Sequence, residues 1–287
     1  MPAGAAVEKL LKKYDAVTLE NGGIEFLMEG HSVEFHDRGQ HQLTVTFTAR
    51  MPEKWKKPAT ARKGWGYDFL KNKGYSALHV KSDRNTWYRL PSILKFFEDA
   101  RDAQLFSDFD HVMTYGTSMG GFGALAFAGI AQADTVLSYN PQINLGPRVR
   151  DWEIRFNSAT KYDWDHPMCD LSAQIKDVAL PVVIYDPFYK LDRKQVEILS
   201  GDHIVRLRVP FVGHHMPDHL LELGVLGWVY SQCRNGNIDE AEFYRRVRDR
   251  RKLLRYRNIM LETAKTKPER LTKIDRLLPE AEMIGGA

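Results

Sequence analysis

The chain has 287 residues, 43% of them hydrophobic and 11% aromatic. That is enough apolar surface for a sizeable core, and it excludes an intrinsically disordered protein. No apolar run approaches the roughly 18 residues of a membrane span, and MPAGAAVEKLLKKYD at the amino terminus is broken by acids and lysines, so a span and ordinary secretion are not expected and a cytoplasmic location fits. Cys169 and Cys233 form neither a zinc spacing nor a disulfide framework. The formal charge of +4 is uneven: Arg245 to Arg257 holds eight basic residues against Asp249, a balance of +7 that leaves −3 for the rest. A nucleic-acid-binding domain would carry such charge on its folded core, so nucleic acid is not an expected partner.

In chain order, DAVTLE, IEFLME, SVEFHD and QLTVTFTAR alternate β-rich pieces with turn residues and read as an antiparallel sheet edge. From Gly64 the rhythm changes to a helix near Tyr67–Lys73, the strand YSALHV, a helix from Pro91 to about Ala103 and the strand HVMTYG. A small-residue helix after Ser118, the strands DTVLSYN and PVVIYD, a helix around Arg193–Leu199, the strand HIVRLRVP and a helix over Asp218–Ser231 follow. Strand and helix in turn build a mostly parallel sheet between helices. Residues 141–180 lack a clear strand and carry Trp152, Phe156, Tyr162 and Trp164, as an insertion covering a site would. The expected division is a core over 1–236 and a basic helical appendage over 237–287, broken near Pro268.

The sharpest local signal is HVMTYGTSMGGFGALAFAG. A β-like run ends at Gly116, and G-T-S-M-G opens a helix, the pattern of a nucleophile elbow. Serine on a tight strand-to-helix turn must adopt strained backbone angles, and Gly116 and Gly120 remove the Cβ atoms that would clash around Ser118. The turn exposes the hydroxyl and aims the first helical N–H groups at a developing oxyanion, which makes Met119 N–H a candidate donor. A phosphate-binding loop would need Lys-Ser/Thr after Gly123, and a halide-removing enzyme would carry aspartate at the elbow.

With GTSMG at 116–120 and its order of elements over about residues 40–235, the sequence resembles the α/β-hydrolase superfamily. The resemblance implies a triad in chain order serine, acid, histidine, with the acid beyond the second strand after the elbow and the histidine in a late loop. In FVGHHMPDHL, His214 follows Gly213 and matches that place, with His215 the alternative. In PVVIYDPFYKLDRKQVE, Asp192 has the expected spacing and is otherwise the cap of the helix it precedes, while Asp186 is the alternative or a turn former before Pro187. The second oxyanion donor should come from the loop after LTVTFT, at Arg50 N–H or, failing that, Ala49 N–H; no His-Gly stretch follows that strand. These parts make an acyl-transfer site needing neither metal nor organic cofactor.

KSDRNTWYRL at 81–90 offers Arg84, Asn85, Trp87 and Tyr88 to a polar, sugar-like pocket, Trp87 and Tyr88 being equally readable as core anchors. The stretches GWGYDFL, DRN-WY and SMGG also resemble the hydrolase-like, glycan O-acetyl-transferring proteins of bacterial accessory secretion, which directs the substrate expectation towards acylated glycans. In the basic tail, Phe243, Val247, Leu254 and Leu261 recur near one helical face and should pack on the core or on a second copy of the chain. The leading expectation is a serine hydrolase acting on a carboxylic ester or other small-molecule or glycan acyl group. The alternatives are an acyltransferase on a glycan and a non-catalytic module of the same fold that binds through its tail.

Overall fold

A computed structural model describes residues 3–52, 57–280 and 283. Among the described residues the strands are β1 (Asp15–Thr18), β2 (Ile24–Met28), β3 (His31–His36), β4 (Gln42–Phe47), β5 (Ser76–Ser82), β6 (His111–Thr117), β7 (Thr135–Tyr139), β8 (Leu180–Tyr185) and β9 (Val205–Arg208). They form one sheet in the order β1-β2-β3-β5-β4-β6-β7-β8-β9. The helices are α1 (Gly4–Leu11), α2 (Tyr67–Asn72), α3 (Pro91–Asp102), α4 (Met119–Ala126), α5 (Leu171–Gln174), α6 (Lys190–Ile198), α7 (Met216–Glu222), α8 (Leu226–Arg234), α9 (Glu240–Val247), α10 (Leu254–Ala264) and α11 (Pro268–Leu277). None is long and apolar enough to cross a membrane.

Strands β1 to β3 are antiparallel, as is the β3–β5 pair, and β5-β4-β6-β7-β8-β9 are parallel. The expectation that QLTVTFTAR joins the antiparallel edge is therefore corrected: β4 lies in the sheet interior, parallel to both β5 and β6. Its alternating threonines imitate a solvent face. Both are buried instead, with Thr44 Oγ1 2.6 Å from the Tyr230 hydroxyl and Thr46 Oγ1 2.7 Å from His79 Nδ1, so each hydroxyl has a partner inside the protein. A second correction concerns the single helix read over Asp218–Ser231, which is two helices, α7 and α8, separated where Gly224 takes φ 67°.

The sheet separates two cores. Val45, Phe47, Phe97, Phe122 and Phe127 lie on the face covered by α1, α3 and α4, while Leu70, Met113, Tyr115, Leu220, Val229 and Phe243 lie on the face covered by α2, α7, α8 and α9. Phe97 is central to the first, with ring centroids 4.5 Å from Phe127, 5.8 Å from Phe106 and 6.0 Å from Phe47. Its burial fixes α3 and α4 against β4 and β6, the strands beneath the elbow. Phe97→Ala is expected to lower unfolding free energy by about 3–5 kcal/mol in a urea titration, the cost of a large cavity in a packed core.

Candidate active site

Ser118 stands between the last residue of β6 and the first of α4 with φ 56° and ψ −118°, a conformation that costs a non-glycine residue about 1–3 kcal/mol. Surrounding contacts impose it. Ser118 N–H donates to Tyr139 O (2.8 Å), and Phe122 N–H donates to Ser118 O (3.1 Å). A Cβ on Gly116 would meet Gly120 O at 2.2 Å, and a Cβ on Gly120 would meet Phe47 O at 2.2 Å. The end of β4 is thereby brought against the first turn of α4, whose leading N–H groups, Met119 among them, have no acceptor within the helix.

Two other strand ends deliver the acid and the imidazole. His214 Nε2 lies 3.0 Å from Ser118 Oγ, and His214 Nδ1 lies 2.7 Å from Asp192 Oδ2. Asp192 is completely buried in the first turn of α6, whose cap is Tyr189, so its carboxylate is not spent as that helix's N-cap. Asp186 is the turn former and more: Oδ1 accepts from Phe188 N–H (2.8 Å), and Oδ2 accepts from Val212 N–H (2.9 Å) and Gly213 N–H (2.8 Å). It ties the histidine loop to the end of β8. His215 is exposed beside Asp218, and among the described residues no hydrogen bond joins it to the serine.

Sequence reading did not single out Arg155, which the 141–180 insertion sets against the acid. Arg155 Nη1 donates to Asp192 Oδ1 (2.7 Å), while Nε and Nη2 donate to Glu153 (2.8 and 2.6 Å). Gln195 Nε2 donates to Glu153 Oε2 (3.0 Å), and Gln195 Oε1 accepts from Ile143 and Asn144 N–H, which anchors the insertion to α6. Burial opposes the Arg155 charge, but hydrogen bonds to Glu153 and Asp192 outweigh it and hold its pKa above the ordinary value. Burial likewise opposes ionised Glu153, and Arg155 reverses the balance and lowers its pKa. Glu153, Arg155 and Asp192 together carry one net negative charge, which a protonated His214 would neutralise.

The remaining expected residues divide. Arg50 is exposed, its guanidinium 5.8 Å from the Phe156 ring, and among the described residues no hydrogen bond engages the backbone N–H of Arg50 or Ala49. Asn85 clamps the same loop, accepting from Met51 N–H (2.9 Å) and donating to Met51 O (2.8 Å). Arg84 is exposed. Trp87 and Tyr88 are wholly buried, so they are core anchors and do not line a pocket. They still bear on the site: the Tyr88 hydroxyl donates to Thr48 O (2.6 Å) at the end of β4, and Trp87 Nε1 donates to Gln142 Oε1 (3.3 Å) beside Ser118.

The basic tail also reaches the histidine loop. Phe243 and Val247 of α9 are buried in the second core. Arg250 Nε donates to Pro210 O (3.0 Å), the Tyr256 ring meets Phe211 edge-on at 6.2 Å, and Arg255 pairs with Glu222 (2.8 Å) on the helix after the loop. Further charges are matched within the tail, Arg245 and Arg246 by Glu242 and Arg257 by Asp275.

No family model matches this sequence, and no curated protein matches it. Solved structures do. The capsule O-acetyltransferase of Neisseria meningitidis serogroup A superposes with a TM-score of 0.50 at 17% identity, over 72% of this chain and 93% of that one. A poly(3-hydroxybutyrate) depolymerase of Bordetella parapertussis gives 0.45 at 14%, over 86% and 98%, and an esterase of Pyrococcus furiosus 0.41 at 14%, over 76% and 90%. This chain has an α/β-hydrolase-like fold. In that fold the carboxyl ends of the parallel strands form one edge, and here the loops beyond that edge bring Arg50, Ser118, Asp192 and His214 into sequence order around the sheet end.

Arg155 divides the charge of Asp192 between itself and His214, whose other neighbours are Ser118, Tyr189 and His215. Arg155→Met removes a positive charge near the imidazole and loosens the carboxylate. It leaves Glu153 and Asp192 without their shared cation inside the protein and is expected to lower the unfolding free energy by about 3–5 kcal/mol. A urea titration checks this, and an unchanged stability would contradict the electrostatic assignment.

Proposed function

We propose that this chain is a serine-dependent enzyme that cleaves a carboxylic ester or related acyl bond through Ser118, His214 and Asp192. The observation that carries the reading is the line of hydrogen bonds from a buried carboxylate through an imidazole to a serine hydroxyl, 2.7 and 3.0 Å long, ending on a serine held at φ 56°. A binding module gains nothing from that backbone strain, whereas a nucleophile gains exposure at the sheet end.

In the proposed reaction His214 Nε2 takes the Ser118 proton as Oγ bonds to the carbonyl carbon, and the π pair moves onto the carbonyl oxygen. The Met119 N–H and, from the loop after β4, the Arg50 N–H face that charge. Asp192 keeps the Nδ1 proton on its side of the ring and offsets the imidazolium. Collapse re-forms the carbonyl and expels the leaving oxygen, which takes the proton from Nε2. Water, giving a proton to the same nitrogen, then attacks the acyl-enzyme, and the second collapse releases the acid as Ser118 Oγ takes that proton back from Nε2.

A second reading replaces that water with a glycan hydroxyl. It is favoured by the likeness of GWGYDFL, DRN-WY and SMGG to glycan O-acetyl-transferring proteins, and a capsule O-acetyltransferase shares the fold. The two readings use one acyl-enzyme and separate only at the acceptor.

Intact-mass analysis after treatment with a fluorophosphonate is expected to give a single adduct on the wild type and none on Ser118→Ala. Turnover of p-nitrophenyl acetate should fall by about 10⁴-fold or more in that variant. Adding a free sugar and measuring acetyl-sugar against acetate then distinguishes transfer from hydrolysis. A wild type that neither labels nor turns over would contradict both enzymatic readings.

A further inference from the structure

Gln142, in the loop after β7, is wholly buried and lies directly on the serine. Its Nε2 is 3.1 Å from Ser118 Oγ and 3.2 Å from Asn140 O, and its Oε1 accepts from Trp87 Nε1 at 3.3 Å and lies 3.3 Å from Ser118 Oγ as well. These neighbours fix the orientation of the amide. An indole N–H only donates, so it must face the amide oxygen; a backbone carbonyl only accepts, so it must face the amide nitrogen. One N–H of Gln142 is thereby committed to Asn140 O, and the other is directed at Ser118 Oγ.

With a lone pair of Ser118 Oγ taken by Gln142 Nε2–H, the hydroxyl proton has two acceptors, His214 Nε2 at 3.0 Å and Gln142 Oε1 at 3.3 Å, and the shorter contact is the one that leads to the imidazole. The other nitrogen of the ring, Nδ1, faces Asp192. Trp87 is held for this task in an unfavourable conformation, φ 48°, followed by Tyr88 at φ 56°. Two successive bulky residues in the left-handed region are costly, and such strain persists where a site over-determines it.

We propose that Gln142 is a catalytic residue, donating Nε2–H to Ser118 Oγ in the resting site and to the oxyanion once the carbonyl is attacked. The inference rests on Ser118 being the nucleophile. As the proton leaves Oγ for His214, negative charge grows first on Oγ and then on the carbonyl oxygen, two bonds from Oγ. An amide donor already aimed at Oγ strengthens its hydrogen bond as charge develops there, next to where the oxyanion forms. Gln142 thus supplies a side-chain donor in a chain whose loop after β4 carries no His-Gly stretch.

The test compares wild type with Gln142→Leu on p-nitrophenyl acetate and on the matching thionoester, whose sulfur is a weak hydrogen-bond acceptor. Gln142→Leu is expected to lower kcat on the oxygen ester by about 10²-fold with KM within about threefold, the signature of an interaction made in the transition state. The oxygen-to-thiono rate ratio should shrink in the variant, because the donor that distinguishes the two substrates is gone. A kcat within about threefold of wild type overturns the proposal, and so does a lowered kcat with an unchanged thiono ratio, which would mark a purely structural role. If Gln142→Leu does not fold, Trp87→Phe releases the amide from its latch and is expected to shrink the same ratio; no change there also overturns it. An inactive wild type would instead defeat the reading of Ser118, so the two failures remain distinct.

Discussion

A carboxylate without solvent must find its compensation inside the protein, and Asp192 is such a group: its side chain is fully buried, with His214 on one oxygen and Arg155 on the other. Leaving that charge unpartnered would cost several kcal/mol, so the elements carrying its partners are constrained to meet. Helix α6 supplies the acid, the loop after β9 supplies the imidazole, and the 141–180 insertion supplies the guanidinium with Glu153 behind it. Glu153, Arg155 and Asp192 together leave one formal negative charge, and it faces His214. The proposed acyl chemistry at Ser118 would place a proton on that imidazole, where this charge offsets it.

The supports around this group come from every part of the fold. Asp186 holds the start of the histidine loop through two backbone N–H groups, and Asn140 Nδ2 donates to His214 O at 2.6 Å. From outside, Arg250 and Tyr256 hold Pro210 and Phe211, the latter at φ 62° and stacked 4.3 Å from Phe188. The basic carboxy-terminal segment is consequently more than a charged extension. Part of its apolar stripe is core, and several of its arginines neutralise acids or cap carbonyls beside the site. Its charge has local uses that a count of residues does not reveal.

The elbow was legible because its constraint is local: glycines at 116 and 120, a strand before and a small-residue helix after leave one backbone solution for Ser118. His214 and Asp192 were legible because strand ends and loop order were, and their convergence followed from the resemblance. Misreading β4 had an equally physical cause. Thr44 and Thr46 look like a wet face until Tyr230 and His79, far along the chain, provide partners. Arg155 and Gln142 were invisible for a similar reason. An arginine in a charged insertion and a glutamine after Asn-Pro carry no local signature, and only tertiary contacts to Asp192, Trp87 and Ser118 give them a task. Trp87 and Tyr88 were noticed for their aromaticity, but their burial and hydrogen bonds assign them to the support of the site.

The arrangement stands on one proton lying between His214 Nδ1 and buried Asp192, and proton NMR reads it directly. In water at low temperature, the wild type should show a slowly exchanging imidazole N–H resonance well downfield of the backbone amides, coupled to ¹⁵N in a histidine-labelled sample and absent from Asp192→Asn. A spectrum without that resonance, or with the same resonance in Asp192→Asn, would contradict the account, since the imidazole would then not be held by the acid on which the rest of the site depends.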